Sequence, residues 1–285
     1  MNWLTKIGLK IGKYLLLTIA FLVLVIIVVG GGFGAKEYDK QHRLYQADLL
    51  LIAHRGVAGN APENSRAAFN AARDQGFAAV EIDIKETSDG HFYLFHDRSS
   101  ERLLHTTLDL STATFKELQK FPLYFGGTPS EEHVLSLEEF GQEFSKDFIV
   151  YLDIKRHGND RYKYLAGRIH DFISKYDLHD RAFVGSDFLF TAYLEYTYPQ
   201  IHTVFSGPGD RTAHVYLLIP KKIRPDFMIS YADEITEGHV TWLRNNELMN
   251  RRIVYGVREE NYDRLRTWRI PKIMVDNGGR SKYQN

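Results

Sequence analysis

Two histidines, two carboxylates and an arginine lie at predicted strand ends within one short stretch of the chain, residues 52 to 97. His54 follows the apolar run Leu51-Ile52-Ala53, Glu81 and Asp83 alternate with apolar residues, and His96 follows Tyr93-Leu94-Phe95. Polar groups beside buried strands are costly unless something pairs with them. An acid/base pair of histidines next to a metal-binding pair of carboxylates explains these residues most simply.

The carboxylates Glu81 and Asp83 are two positions apart in the run Val80-Glu81-Ile82-Asp83-Ile84. In a strand this spacing points both side chains to the same face, which in a barrel is the interior. Two close carboxylates repel each other and raise one pKa unless a cation bridges them. An all-oxygen site suits Mg²⁺ or Ca²⁺. The alternative is a surface strand whose carboxylates pair with lysine or arginine.

Asp153 and Lys155 repeat the two-residue spacing at the end of another apolar run. Asp153 could complete a three-carboxylate metal site with Glu81 and Asp83, and Lys155 could neutralise a phosphate oxygen. Taken alone, Asp-x-Lys is more often a solvated strand end. Its place at the end of the third predicted strand favours the metal-site interpretation.

His54 and His96 together fit a general acid and a general base, although a single strand-end histidine is more often structural. Arg55 has the planar fork that grips phosphate with two hydrogen bonds. Asp97 could orient His96 or cap a turn. Near Pro62-Glu63-Asn64-Ser65, we expect Asn64 or Ser65 to be a helix N-cap, and the role of Glu63 stays open.

Short apolar, β-branched runs alternate with helical patterns from residue 50 onward. The predicted strands are Leu50–His54, Ala79–Ile84, Phe148–Ile154, Ala182–Ser186, Thr203–Ser206, Phe227–Ser230, Ile253–Val257 and Lys272–Asp276. The predicted helices are Ser65–Gln75, Leu137–Phe144, Lys163–Lys175, Phe188–Tyr196, Thr212–Ile219, Val240–Asn246 and Asn261–Trp268. Eight strands alternating with helices predict an α/β fold, a closed (β/α)₈ TIM barrel.

The connection between the second and third predicted strands, Lys85 to Asp147, is too long for a simple crossover and predicts an inserted subdomain after strand 2. Ser88-Asp89-Gly90 indicates a turn, and His91–Phe95 indicates a short strand that brings His96 back over the barrel mouth. The insertion should therefore place the second histidine beside the first.

The N-terminal residues 14–35 are uncharged and mostly apolar, which is long enough for a helix that crosses a hydrocarbon core of about 30 Å. Three lysines precede them, at positions 6, 10 and 13, so the positive-inside rule puts the N-terminus in the cytoplasm and the catalytic domain outside. We expect residues 1–36 to be a transmembrane signal-anchor and residues 37–285 to hold the barrel domain. A cleaved signal peptide ending near Gly34-Ala35 and a buried core helix are the alternatives.

The composition excludes other classes of function. Lys+Arg and Asp+Glu both number 36, so the formal net charge is zero and a nucleic-acid partner is disfavoured. The chain has no cysteine, which excludes thiolate catalysis and disulfides.

These motifs, in this order, resemble the glycerophosphodiester phosphodiesterase family. The resemblance rests on His54-Arg55-Gly56, Pro62-Glu63-Asn64-Ser65, Glu81-Ile82-Asp83, Asp89-Gly90 and His96-Asp97. It implies a (β/α)₈ barrel with an insertion after strand 2 and hydrolysis of glycerophosphodiesters to an alcohol and glycerol 3-phosphate. It further implies a divalent metal, Ca²⁺ or Mg²⁺, with Glu81 and Asp83 as ligands, His54 and His96 as the acid/base pair, and Arg55 as the phosphate-binding residue.

The chain departs from the family pattern at several positions. The third metal ligand is usually glutamate in Glu-x-Lys, whereas here it is Asp153 before Lys155, which also resembles sphingomyelinase D-like phospholipases. Val275-Asp276-Asn277 stands for the usual Thr-Asp, and Tyr255 for a usual tryptophan. Two alternatives therefore stay open: a lysophospholipase D or sphingomyelinase D-like phospholipase, and a catalytically inactive anchored binding barrel.

Overall fold

The computed structural model describes residues 3–32, 43–46, 49–59, 61–155, 161–206, 213–276 and 283, with side chains at all of these except 3–10 and 28–29. The strands are β1 (Leu50–Ala53), β2 (Ala79–Glu86), β3 (Phe92–Leu94), β4 (Pro122–Phe125), β5 (Thr128–His133), β6 (Ile149–Ile154), β7 (Ala182–Ser186), β8 (His202–Ser206), β9 (Phe227–Tyr231), β10 (Arg252–Val257) and β11 (Lys272–Val275). The helices are α1 (Trp3–Val29), α2 (Arg66–Asp74), α3 (Glu101–Leu104), α4 (Phe115–Leu118), α5 (Leu137–Phe144), α6 (Tyr162–Lys175), α7 (Phe188–Thr197), α8 (Val215–Leu218), α9 (Glu237–Asn245) and α10 (Glu259–Thr267).

Eight parallel strands close into a barrel in the order β1-β2-β6-β7-β8-β9-β10-β11, and β11 pairs back onto β1. The register places Asp83 beside Asp153 on neighbouring strands β2 and β6. The predicted (β/α)₈ barrel is confirmed, and each predicted strand overlaps an observed one. The carboxyl ends of the strands meet at one face, which is where side chains from different strands can form a site.

Side chains of the barrel strands alternate between the barrel interior and the surrounding helices, as the sequence pattern predicts. Val80, Ile82 and Ile84 of β2 pack outward in the apolar layer between strands and helices. At the opposite end from the site, Leu44 and Tyr45 close the barrel interior, and the Tyr45 ring stacks 4.8 Å from Phe227. The barrel is thus filled at its amino-terminal end and open at its carboxyl end.

The insertion between β2 and β6 is a small subdomain, as predicted. β2 extends to Glu86 and pairs antiparallel with β3, matching Ile84 to Leu94, so the turn at residues 88–90 sends the chain back toward the mouth. The β4–β5 hairpin, α3 and α4 follow, and they enclose a core of their own. Thr114 and Glu117 form a capping box that fixes the start of α4.

Two predicted strands end one residue earlier than expected. His54 still donates its backbone N–H to Val275 at 3.2 Å, but Arg55 has a φ of 57°, which turns the chain out of the sheet. β11 likewise ends at Val275, before Asp276. Both polar residues therefore lie just beyond the strands rather than inside them, where their side chains can reach the mouth.

The helices agree with prediction apart from their ends. α8 covers only residues 215–218 of the predicted 212–219, and position 212 lies outside the described residues. α9 and α10 begin earlier than expected because Thr236 caps the first and Arg258 and Asn261 cap the second. Asn277, quoted for the family pattern, also lies outside the described residues.

The N-terminal helix α1 runs from Trp3 to Val29, and its side chains are described from Ile11 to Ile27. Within the part of the chain that the structure describes, no helix is both long enough and apolar enough to cross a membrane. The transmembrane helix stays a prediction. Positions 33–42, with the small residues of the alternative cleavage site and most of the linker, fall outside the described residues.

Candidate active site and metal centre

A cavity of about 960 Å³ opens at the carboxyl end of the barrel. It is lined by His54, Arg55, Glu81, Lys85, His96, Asp97, Arg98, Ser99, Tyr151, Asp153, Ile154, Lys155, Ser186, Asp187, Ser206, Ile229, Tyr255 and Met274. Six of the seven predicted site residues therefore share one cavity; they lie on or just after β1, β2 and β6, or in the insertion. The seventh, Asp83, is buried beneath it. Tyr255 lies on the opposite wall, with its ring 5.4 Å from that of Tyr231.

The three carboxylates converge at the floor of the cavity. Glu81, Asp83 and Asp153 each offer an oxygen, and these oxygens all lie within 4.8 Å of one another. Glu81 and Asp83 are almost completely buried, whereas the Asp153 side chain is 30% exposed toward the cavity. The i, i+2 spacing on β2 and the in-register pairing with β6 produce this convergence.

The crowding of the carboxylates perturbs their ionisation in different directions. Burial, followed by the charges of Asp83 and Asp153, raises the pKa of Glu81 well above its usual range. Burial would also raise the pKa of Asp83, but Lys155 and Arg55 outweigh it and hold that pKa low. Burial and Asp83 raise the pKa of Asp153 against the pull of Lys155. A cation at the centre of the group would favour the ionised form of all three carboxylates.

The donor set fits a hard divalent cation. All three side chains are carboxylates from neighbouring strands, the ligand type that Ca²⁺ and Mg²⁺ prefer. Asp83 Oδ1 is buried without a well-aligned hydrogen bond, although the Lys155 ammonium lies 3.0 Å away. Lys155 also contacts Asp153 at 2.5 Å. The group is thus able to hold a metal, with a lysine at its edge.

Each histidine is held by an aspartate. His54 Nδ1 pairs with Asp276 Oδ1 across the β1–β11 seam, which leaves Nε2 facing the floor, 3.8 Å from Glu81 Oε2. His96 Nδ1 pairs with Asp97 Oδ1 at 2.8 Å. A carboxylate on one ring nitrogen fixes the ring orientation and leaves the other nitrogen for proton transfer. Both rings reach the cavity, with side chains 22% and 37% exposed.

Arg102, on α3 of the insertion, ties the second histidine to the loop after β1. Its guanidinium donates to Asp97 at 2.5 Å and twice to Glu63, at 2.7 and 2.9 Å. Burial would raise the pKa of Asp97, but hydrogen bonds from Arg102 and His96 lower it to about 2. Asp97 therefore stays ionised while it orients His96. This assigns the role that the sequence left open for Asp97.

A second acidic group, Glu63, His96 and Asp97, also has side-chain atoms within 4.8 Å of one another. Arg102 already bridges Glu63 and Asp97 with its guanidinium. Because Arg102 bridges both carboxylates and Arg55 also pairs with Glu63, this group has less need of a metal than the group at the cavity floor.

Arg55 is fixed above the carboxylates by the sharp turn after β1. Its backbone N–H donates to Glu81 at 3.0 Å, Nη1 donates to Glu63 at 2.8 Å, and Nε lies 3.1 Å from Asp83. Gly56 follows with a φ of 77°, and a Cβ there would lie 2.8 Å from the Ala68 backbone, so only glycine fits between this turn and α2. Burial would lower the pKa of Arg55, but the surrounding carboxylates raise it overall, so it stays charged.

Of the two residues expected as the N-cap of α2, Ser65 takes that position and Asn64 does not. Ser65 is the N-cap of α2 and accepts a hydrogen bond from Ala68. Asn64 instead turns inward with a φ of 56° and donates to Asp83 Oδ2 at 2.9 Å. It thereby orients one carboxylate of the three-carboxylate group.

Two contributors to the site were not predicted from the sequence, and a third was named without a role. Asp276 was matched to the family's Thr-Asp pattern, and its place after the last strand puts it at the same edge as His54. Arg102 lies in the insertion, where no strand end predicts its direction. Lys85 is two positions beyond Asp83 on the same face of β2, which is the signal that could have found it.

Comparison with known proteins finds similarity in the part of the chain that contains these motifs. The glycerophosphoryl diester phosphodiesterase family model matches residues 54–188, a span that holds every predicted site residue. A glycerophosphodiester phosphodiesterase of Caldanaerobacter subterraneus subsp. tengcongensis is 32% identical over 140 residues, covering 48% of this chain and 57% of that protein. Human glycerophosphodiester phosphodiesterase 1 is 31% identical over 116 residues, covering 39% of this chain and 35% of that protein. The matches thus span little more than half the length of these relatives, or less.

The fold also agrees with solved structures. An Oleispira antarctica phosphodiesterase, solved in complex with the product sn-glycerol-3-phosphate, superposes with a TM-score of 0.72 at 19% identity, covering 85% of this chain and 99% of that one. At this identity the likeness bears on the fold alone. The family match over residues 54–188 and the order of the motifs within it carry the comparison: in the part of the barrel that holds the predicted site residues, this chain is similar to the glycerophosphoryl diester phosphodiesterase family.

Proposed function

We propose that the protein is a metal-dependent phosphodiesterase that hydrolyses glycerophosphodiesters to an alcohol and glycerol 3-phosphate. The observation that carries the proposal is the cavity floor, where three convergent carboxylates lie between two histidines that are each held by an aspartate. A cation site and two positioned proton carriers together suit the cleavage of a phosphodiester. An inactive binding barrel has no need of all five residues.

Glu81, Asp83 and Asp153 are the residues that would hold the metal, Ca²⁺ or Mg²⁺. When bound, a divalent cation supplies Lewis-acid stabilisation of the charge that develops on the phosphoryl oxygens. Asn64 keeps Asp83 oriented, and Lys155 balances the remaining negative charge. Asp153 provides the shorter arm where the family usually has glutamate.

His54 and His96 carry the protons. One histidine accepts the proton of the attacking hydroxyl, either the glycerol 2-hydroxyl or water, as the new P–O bond forms. The other donates a proton to the oxygen of the leaving alcohol as its P–O bond breaks. Attack by water gives glycerol 3-phosphate directly, whereas attack by the 2-hydroxyl gives a cyclic glycerol phosphate that water then opens to glycerol 3-phosphate. Asp276 and Asp97 stabilise whichever ring is cationic, which lowers the cost of each transfer.

Arg55 and Lys155 would bind the phosphodiester. Both cations lie over the carboxylate group, and both remain partly exposed to the cavity, at 17% and 27% of their side chains. A guanidinium and an ammonium on either side of the floor can hold the two non-bridging oxygens of one phosphate.

Phosphorus NMR of product mixtures tests the reaction. We expect glycerophosphoethanolamine or glycerophosphoglycerol to give glycerol 3-phosphate. Phosphomonoesters should stay intact, because a monoester lacks the second alcohol that the diester releases. Inorganic phosphate from monoesters, with every diester unchanged, would contradict the proposal.

A lysophospholipase D or sphingomyelinase D-like activity is the second candidate, because Asp153 and Lys155 form the Asp-x-Lys motif that resembles those enzymes. The same NMR experiment distinguishes it. Lysophosphatidate from a lysophospholipid, at a higher rate than glycerol 3-phosphate from water-soluble diesters, would favour the phospholipase.

We further propose that residues 1–36 anchor the barrel domain, residues 37–285, to a membrane as a single-pass helix with the catalytic domain outside. The support is the uncharged sequence after Lys13 and the exposure of the apolar side chains between Ile11 and Ile27 on α1. If the cell is bacterial, an alkaline phosphatase fused to the C-terminus should be active in the periplasm or outside the cell. A fluorescent protein that folds at the same position in the cytoplasm would contradict this orientation.

A further inference from the structure

One wall of the cavity carries two cations that form no ion pair with a carboxylate among the described residues. Lys85 projects from β2, and Arg98 follows the His96-Asp97 pair; both line the cavity together with Ser99. Lys85 is only 2% exposed, and its ammonium donates to the backbone carbonyl of Asp97. Among the described residues, neither cation forms an ion pair.

The other cations at the mouth are already paired. Arg55 contacts Glu63 and Asp83, and Lys155 contacts Asp83 and Asp153.

Arg102 bridges Glu63 and Asp97 on the insertion side. Among the described residues, Lys85 and Arg98 are thus the Lys and Arg side chains of the cavity lining that form no ion pair. A buried ammonium that has one carbonyl and the face of Phe95 as its surroundings gains most from a bound anion.

The position of the wall decides which part of the substrate it meets. Lys85 is two residues beyond Asp83 on the same face of β2. Its Cα therefore lies about 7 Å further along the strand, toward the carboxyl end, than the Cα of Asp83. The reacting phosphate belongs at the floor, between Arg55 and Lys155. What reaches Lys85 and Arg98 is a group attached further along the substrate, next to His96.

The opposite wall has a different character. Ile229, Tyr255 and Met274 present apolar and aromatic surface to the cavity. The glycerol unit of the substrate carries only hydroxyl groups, so an anionic group can come only from the alcohol on the other side of the phosphodiester.

We propose that Lys85 and Arg98 select diesters whose leaving alcohol carries a negative charge, such as a second phosphate. This inference rests on the proposed phosphodiesterase function and narrows its substrate class. A neutral alcohol leaves the buried ammonium without an anion, and a cationic alcohol such as choline is repelled by both residues.

The test compares three diesters that differ in the charge of the alcohol: glycerophosphoglycerol phosphate, glycerophosphoglycerol and glycerophosphocholine. For the wild-type protein we expect kcat/KM to fall in that order, by about 10-fold or more between the first two, the scale of one charge-assisted hydrogen bond. Lys85→Met and Arg98→Met should bring the ratio between the first two substrates close to one. Arg98→Met is the safer variant because Arg98 is exposed and its loss leaves the core unchanged.

Lys116→Met is the matched control, since Lys116 is an exposed lysine on α4 of the same insertion and does not line the cavity. It should keep the wild-type preference. Equal kcat/KM for charged and neutral alcohols, or a preference for choline, would overturn the inference. An equal loss on all three substrates in the Arg98→Met variant would also overturn it, because Arg98 would then bind the reacting phosphate.

Binding separates this inference from the proposed reaction. Calorimetric titration of the His54→Ala variant with the same diesters measures affinity without turnover, and tighter binding of glycerophosphoglycerol phosphate should disappear when Arg98→Met is added. If that preference appears although the wild-type protein cleaves no diester, the charged wall is real and the proposed function is wrong. If diesters are cleaved but bound without preference, the function stands and the inference fails.

Discussion

Alanine in place of His54 or His96 should lower turnover of a glycerophosphodiester roughly 10²–10⁴-fold, the range expected when a general acid or base is removed. Each ring leaves one nitrogen free toward the cavity, while the other is held by Asp276 or Asp97. The loss should fall on kcat more than on KM, because neither ring is placed to grip the phosphate.

The fold should survive both substitutions. The side chains are partly exposed, and neither histidine belongs to an apolar cluster of the core. His91→Ala is a matched control, since His91 is an exposed histidine of the same insertion that contacts Asp89 and Phe115 and does not line the cavity. Steady-state kinetics with circular dichroism on all three variants checks the prediction, and near wild-type turnover in either His54→Ala or His96→Ala would remove that residue from the acid/base pair.

Loss of the carboxylates proposed to bind the metal should be as severe. Glu81→Gln and Asp83→Asn should lose most activity at ordinary metal concentrations, because each removes one negative ligand from a group of three. Asp153→Glu should retain more activity than Asp153→Ala, since it keeps the carboxylate on a longer arm. Activity titrated against Ca²⁺ and Mg²⁺ measures the effect, and partial recovery at high metal concentration is expected where a ligand is only weakened.

Asp171→Asn serves as the control for removal of a carboxylate. Asp171 lies on α6 with its side chain 78% exposed, far from any acidic group at the barrel mouth. It should titrate like the wild type. Unchanged metal dependence in Glu81→Gln would show that Glu81 is not a ligand.

The barrel and its site could largely be predicted, because polar residues that alternate with apolar ones near the end of a buried strand indicate both the strand and the site. Glu81 and Asp83 stand out as polar residues in a buried strand, and the apolar residues between them predict which way they face. The single long connection after the second strand predicted the insertion, since a βα crossover needs far fewer residues.

The supporting residues were harder to predict because they depend on tertiary contacts. Arg102 reaches Glu63 from 39 positions away and Asp97 from 5, and nothing in the local pattern of α3 indicates that direction. Asn64 was one of two expected N-caps because asparagine is common at that position. In the structure Ser65 is the N-cap, and Asn64 turns inward and orients Asp83. Lys85 carries the correct alternation, but only the packing of Phe95 and Asp97 shows that it is buried.

The most direct measurement follows glycerol 3-phosphate by phosphorus NMR while the metal is removed and restored. Purified protein acting on glycerophosphoethanolamine should release glycerol 3-phosphate in the presence of Ca²⁺ or Mg²⁺, stop when a chelator is added in excess, and resume when the metal is replaced. Undiminished release of glycerol 3-phosphate in excess chelator would contradict the assignment of Glu81, Asp83 and Asp153 as a metal centre.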